Sequence, residues 1–332
     1  MKMKLVLVSA VVFVALSSPA AAAEKKDPHT LAASLASEII APRFAALDKA
    51  FGAQAEVWDK DCTQTDSLKS AFQAAYDAWA QAEFFKSGPL AQQTRAERID
   101  YWPDPRNFID KGVKAVLSVP SAADITAEKI AGESVAVQGL PALERLLYAG
   151  EAGEAKAAGE KECAAGRAIA RNLATVAAAL DREWNDGEAV RLKSAAQDET
   201  KARETAVAVL TDLATGIRVI EDKKIPPLFG AKGNPPNPRA AKVWRSQRSE
   251  RDIAQNLAAL IDAYQALAAF APESAHSVVE KLQDASTALA DTQDANRTIA
   301  VLAAINNAKY YAVDVVPTEI GVSLGFNSLD GD

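Results

Sequence analysis

Apolar residues recur along this chain at helical spacing. Leu35, Ile39, Phe44 and Leu47 mark one stripe beyond Thr30, and Phe72, Tyr76, Trp79 and Phe84 mark a second that Ser87-Gly88-Pro89 ends. The same spacing predicts further helices around residues 108–118, 133–149, 155–184, 188–222, 240–270, 273–290 and 294–314. Alanine runs such as Ala177-Ala178-Ala179 add propensity, and the modest β-branched content argues against a sheet scaffold. Prolines interrupt the pattern in Tyr101-Trp102-Pro103-Asp104-Pro105-Arg106 and again from Ile225-Pro226-Pro227 to Asn237-Pro238. Residues 317–332 carry no helical period. Eight or more helices with short joints predict an all-α fold of two antiparallel helical bundles packed side by side. The expected division is 24–186 and 187–332, at Asn185-Asp186-Gly187, and 332 residues suit two domains better than one small core. No repeat of solenoid length is present.

The first 23 residues read as a secretory signal. Lys2 and Lys4 precede an apolar stretch of 12 residues from Leu5 to Leu16, and Ala20-Ala21-Ala22-Ala23 provides a small-residue exit. That stretch is shorter than the ~20 residues needed to span a bilayer, so the mature chain is expected in the periplasm without a transmembrane helix. Removing Lys2 and Lys4 from 37 basic residues leaves 35 against 44 acidic ones, a net charge of −9. This excludes nucleic acid and anionic membrane as general partners. An oxidising compartment permits a disulfide between the two cysteines, Cys62 and Cys163, closing a loop of about 100 residues worth ~4–5 kcal/mol. Two unpaired buried thiols are the alternative.

Composition limits the chemistry. Two histidines, His29 and His276, cannot build a three-histidine metal centre. His276 has Glu280 four residues on, a weak ion site or a plain surface pair. Gly321-Val322-Ser323-Leu324-Gly325 matches a nucleophile-elbow pattern by coincidence, because its surroundings are helical and no histidine follows. Residues 223–251 carry eight lysines and arginines against Glu250 alone. A helical reading sets Lys242, Arg245 and Arg248 on one side, facing an anionic ligand, the acidic half of the protein or solvent. Trp79 and Glu83 share a helix face. Glu144 and Arg145 stand among Leu143, Leu146 and Leu147, where burying charge is costly without a partner or ligand. Glu144 is thus a candidate ligand residue or one half of a structural ion pair.

Four ordered blocks carry a family resemblance. They are Glu97 to Arg106, Gln138-Gly139-Leu140-Pro141-Ala142-Leu143-Glu144-Arg145-Leu146-Leu147-Tyr148, Trp244-Arg245-Ser246-Gln247-Arg248-Ser249, and Leu324-Gly325-Phe326-Asn327-Ser328-Leu329-Asp330-Gly331-Asp332. Together they resemble the imelysin-like proteins. The resemblance implies an exported protein of two four-helix bundles with a site between them, in a family classed as metallopeptidases and associated with iron uptake. The candidate ligand-binding residues it implies are Glu83, Trp102, Asp104, Arg106, Gly139, Glu144, Arg145, Arg245, Ser246, Arg248, Asn327 and Asp330, with Glu144 as metal ligand.

The family's G-x-H-x-x-E signature matches at Gly139 and Glu144, but Pro141 occupies the histidine position. Proline offers no side-chain lone pair. An all-oxygen site suits iron or another hard cation and gives no route to a zinc-bound hydroxide. The expected occupant is a metal ion or small anionic metal complex, with Arg245 and Arg248 as counter-charges and Trp102 as an apolar wall. Envelope iron-transport proteins are the expected partners. A scaffold protein with a decayed site is the alternative, and the missing histidine argues against a metallopeptidase.

Overall fold

The computed structural model describes residues 25–148, 159–230, 234–294 and 296–324. The expected signal at 1–23 and the candidates Asn327 and Asp330 lie outside them. The described residues are helical, with no strand among them.

A long first helix, α1 (Pro28–Lys60), packs its second half against α2 (Thr65–Ala80) and α5 (Glu160–Arg182). Two shorter helices, α3 (Phe108–Leu117) and α4 (Leu140–Leu147), complete this N-terminal bundle. The C-terminal bundle comprises α6 (Glu199–Val219), α7 (Ser249–Leu267), α8 (Pro272–Ala290) and α9 (Arg297–Ile320). The bundles share one continuous apolar core. The first turns of α1 pack on α6 and α7, and α2 also lies against α7. By length and composition α1 and α9 could each cross a bilayer. Both instead contribute buried residues to this core, Phe44, Leu47 and Phe51 from α1 and Val301, Ile305 and Val316 from α9.

Three helices pass through proline by the same device. A π-turn at Ala36–Ile40 precedes Pro42, one at Ile220–Lys224 precedes Pro226, and one at Tyr311–Val315 precedes Pro317. Proline lacks an N–H and its ring collides with the carbonyl four residues back. The wider turn relieves that collision and lets the helix continue. This corrects the expectation of an aperiodic tail from Pro317, since α9 runs on to Ile320, where Gly321 (φ 87°) stops it. The expected joint at Asn185–Gly187 is likewise helical: a π-turn at Glu183–Glu188 carries the chain from α5 into Ala189–Ala195. The break comes later, where Asp198 caps α6 through the Lys201 amide.

Cys62 and Cys163 form a disulfide that joins the end of α1 to the first turn of α5, with Cα atoms 5.6 Å apart.

Asp212 on α6 meets the loop after α2, accepting hydrogen bonds at Oδ2 from the amide (2.7 Å) and hydroxyl (2.6 Å) of Ser87. Burial pushes its carboxyl up to about 6, against the opposing pull of Ser87 and Lys86. A carboxyl raised above its unfolded value of 3.8 binds its proton more tightly when folded. Stability therefore falls as pH rises from about 4 to 6 and stays lower above that. Asp212→Asn should stabilise the protein at pH 7.5 by about 2 kcal/mol and flatten this part of the stability profile. Urea unfolding at pH 4.5 and 7.5 checks it; equal effects at both pH values would refute it.

Candidate functional site

The two bundles enclose a cleft of about 310 Å³. One wall is the proline loop at residues 100–110, which includes a cis Trp102–Pro103 bond. The start of α4 forms its floor with Pro141 and Glu144, and residues 239–245, just before α7, form the facing wall. Local chemistry fixes each part. Asp104 accepts from the amides of Phe108 and Ile109, both at 2.8 Å, and so caps α3. Gly139 opens α4 where no side chain fits, because a Cβ there would lie 2.2 Å from the Ile99 carbonyl oxygen. That close approach sets α4 against the segment leading to Asp100. Pro141 occupies the first turn of α4, where proline costs no hydrogen bond.

Glu144 is buried and reaches across the seam. Its Oε1 accepts from the Ser246 amide at 2.9 Å and hydroxyl at 2.6 Å, while Oε2 has no hydrogen-bond partner among the described residues. Burial raises its pKa; Ser246 and Arg245 oppose the rise. Above it Asp110 is shared by Arg145 and by Arg245, the latter at 3.3 Å. Arg239 and Arg245 both lie over the Trp244 ring, at 5.8 and 4.6 Å.

Behind the cleft lies a buried ionic network. Lys242 meets Glu83 at 2.5 Å, Asp100 at 2.7 Å and Asp252 at 3.6 Å. Lys224 meets Glu83 and Asp252, both at 2.6 Å, and Asn256 at 2.5 Å. Asp100 is further held by Tyr76 (2.8 Å) and Trp79 (2.7 Å). Burial alone would push Glu83 up, but Lys224 and Lys242 outweigh it and hold it far below its ordinary range. Burial alone would lower Lys242, but Asp100, Asp252 and Glu83 hold it well above its ordinary value.

The family model described as Imelysin matches residues 40–320. The chain belongs to the imelysin family. An imelysin-like protein from Psychrobacter arcticus 273-4 shares the fold at 21% identity, with a TM-score of 0.77 over 90% of this chain and 97% of that one. A Parabacteroides distasonis ATCC 8503 protein, described as an iron-regulated protein A precursor, shares it at 13% identity, with a TM-score of 0.71 over 88% and 95%. No curated protein matches.

The imelysin fold brings some of the candidates together and separates others. Trp102, Asp104, Glu144 and Arg245 line the cleft, and Ser246 and Arg145 support it. Glu83 and Arg248 do not open into it. Glu83 is held by the two lysines, and Arg248 is buried against Asp77, Gln73 and the Tyr76 ring. Arg106 is exposed and away from the cleft lining, and Gly139 serves backbone packing. The helical reading of 240–248 is corrected: turns run over 242–247 and α7 begins at Ser249, so Arg248 is buried outside the cleft lining, while Lys242, also buried, and Arg245 both belong to the cleft wall. His29 and His276 are exposed, and His276 Nδ1 contacts the Pro272 carbonyl.

Sequence reading missed Asp100 and Asp252, and did not single out Lys224 from its basic segment. The signal available was Asp100 inside the first matching block, together with the four-residue spacing of Asp252 and Asn256.

A bare metal ion does not fit the described residues. No group of three His, Cys, Asp or Glu side chains there is placed to hold one. Asp104 spends both oxygens on backbone amides, Asp110 on arginines, and Asp100 on Tyr76, Trp79 and Lys242. Only Glu144 Oε2 remains, beside a proline.

Proposed function

We propose that this imelysin is an exported, periplasmic binding protein that takes a small metal complex, rather than a naked ion, in connection with iron uptake. The observation that carries this reading is the inter-bundle cleft, whose lining holds a carboxylate oxygen of Glu144 free of hydrogen bonds among the described residues and the guanidinium groups of Arg239 and Arg245. A complex brings its own metal ligands, so the protein needs only to grip the outer face of the chelator. Trp102 and Trp244 provide flat apolar surface for that grip. The leader-like N-terminus and the fold shared with an iron-regulated precursor support export and the link to iron.

Tryptophan fluorescence provides the test, because two of the five tryptophans line the cleft. Titration with ferric citrate or ferric nitrilotriacetate should give a saturable change. Glu144→Gln and Arg245→Gln should each weaken it about tenfold without lowering the melting temperature of the ligand-free protein by more than a few degrees. No saturable response to any ferric or ferrous chelate would overturn the reading.

A further inference from the structure

In the cleft lining Asp100 is paired with Lys242, Asp104 with two backbone amides, and Asp110 with Arg245, which shares it with Arg145 from outside the lining. Arg239 is exposed and has no ion-pair partner among the described residues, and its ring contact with Trp244 leaves its charge uncompensated. Burial works against the Arg245 charge; Asp110 and Glu144 support it, and the positive charges of Arg145 and Arg239 oppose it. The unpaired Arg239, set with Arg245 over the Trp244 ring, gains from a further anion, and guanidinium forks match carboxylates in two-point contact. The floor asks for the opposite group. Glu144 is 95% buried, and its second oxygen accepts from nothing among the described residues yet is not one of the enclosed unpartnered atoms, so it opens onto the cleft. A ligand donor that reaches this carboxylate oxygen makes a charge-assisted hydrogen bond. Floor and facing wall are close, because the residue that holds Glu144, Ser246, is the chain neighbour of Arg245.

Resting on the cleft as the binding site, we propose that it recognises a small organic acid whose carboxylate meets Arg239 and Arg245 and whose adjacent hydroxyl or ammonium donates to Glu144 Oε2. Metal enters only as cargo of such an acid. The recognition elements are a carboxylate and a donor on neighbouring carbons, and they belong to the chelator itself. The metal-free acid therefore binds as well.

Three dicarboxylates of equal length separate the terms. Succinate has no donor, malate has a hydroxyl, and aspartate has an ammonium. Calorimetry on the full mature protein should find malate, aspartate or both binding about tenfold tighter than succinate, the value of one well-placed hydrogen bond to a charged acceptor. Which of the two wins identifies the donor. In Glu144→Gln that preference should vanish, because Ser246 keeps the amide oxygen and turns its N–H₂ toward the ligand. Arg239→Gln, at an exposed position that the fold does not use, should weaken all three acids several-fold and leave the preference intact.

Succinate binding as tightly as both of the others would overturn the proposal. So would an unchanged affinity in Arg239→Gln, or inorganic phosphate binding as tightly as malate. The outcome is separable from the iron reading. Acids that bind with this preference while ferric chelates do not would sink the iron function and leave this inference standing. Ferric chelates that bind with no donor preference would do the reverse.

Discussion

Lys242→Met is expected to cost about 3–5 kcal/mol of folding stability, the usual penalty for removing one partner from a buried ionic cluster. Glu83 and Asp252 would then share Lys224, with Arg248 3.8 Å from Asp252, and Asp100 would keep Tyr76 and Trp79 but lose its ion pair. Three carboxylates cannot all stay ionised on those terms. The damage should also spread to the cleft. Lys242 anchors the turns that carry Trp244, Arg245 and Ser246, and the Ser249 hydroxyl bonds its carbonyl at 2.5 Å. Guanidinium unfolding gives the stability change, and the fluorescence titration should show binding lost as well. A change below about 1 kcal/mol would mean that the pairing is neutral.

A double-mutant cycle separates the pair from the packing. Glu83→Gln in the Lys242→Met background should restore part of the loss, since it removes one stranded charge. The same network sets an acid limit. Glu83 has its folded pKa depressed below the ordinary 4.5, so its contribution is complete above that value and drains away as pH falls toward the folded one. The Asp212 effect runs in the opposite direction. The Asp212 effect spans about pH 4 to 6 and the Glu83 effect sets in below 4.5, so Asp212→Asn leaves the acid limb of the profile to the network.

The all-α fold was legible because helical periodicity is local. Residues such as Phe44, Leu47, Phe72 and Tyr76 report a buried face through spacing alone, and all four are fully buried. Helix ends were less legible, because proline usually stops a helix and here a π-turn two residues ahead of Pro42, Pro226 and Pro317 lets each helix continue. Glu144 stood out as a charge among leucines, a contrast visible in one line of sequence. Its partner did not: Ser246 lies 102 residues away and arrives through the packing of the bundles. The same holds for Lys224 with Glu83, 141 residues apart. Such pairs have no local signature, so Lys242 and Arg248 looked as available to a ligand as Arg245. Turn geometry at 242–247 separates them, and a helical reading of that segment aimed all three the same way.

Cys62→Ser/Cys163→Ser should lower stability by ~4–5 kcal/mol, and the reason lies in the unfolded chain. The bond closes a loop with a sequence separation of 101, so the denatured state of the oxidised protein has far fewer conformations to gain. The folded state holds the same junction by other means. Arg167 donates to the Trp58 carbonyl at 3.0 Å, and Gly166 lets the Trp58 ring approach so closely that a Cβ would sit 2.2 Å from it. Every N-terminal cleft residue from Tyr76 to Glu144 lies inside the loop, and neither cysteine lines the cleft. The denaturant midpoint should therefore fall while acid or chelate affinity at 25 °C stays within about twofold of the wild type. Wild-type protein unfolded in reductant should match the variant. An unchanged midpoint would refute the entropic account, and a parallel loss of affinity would show that the disulfide also shapes the cleft.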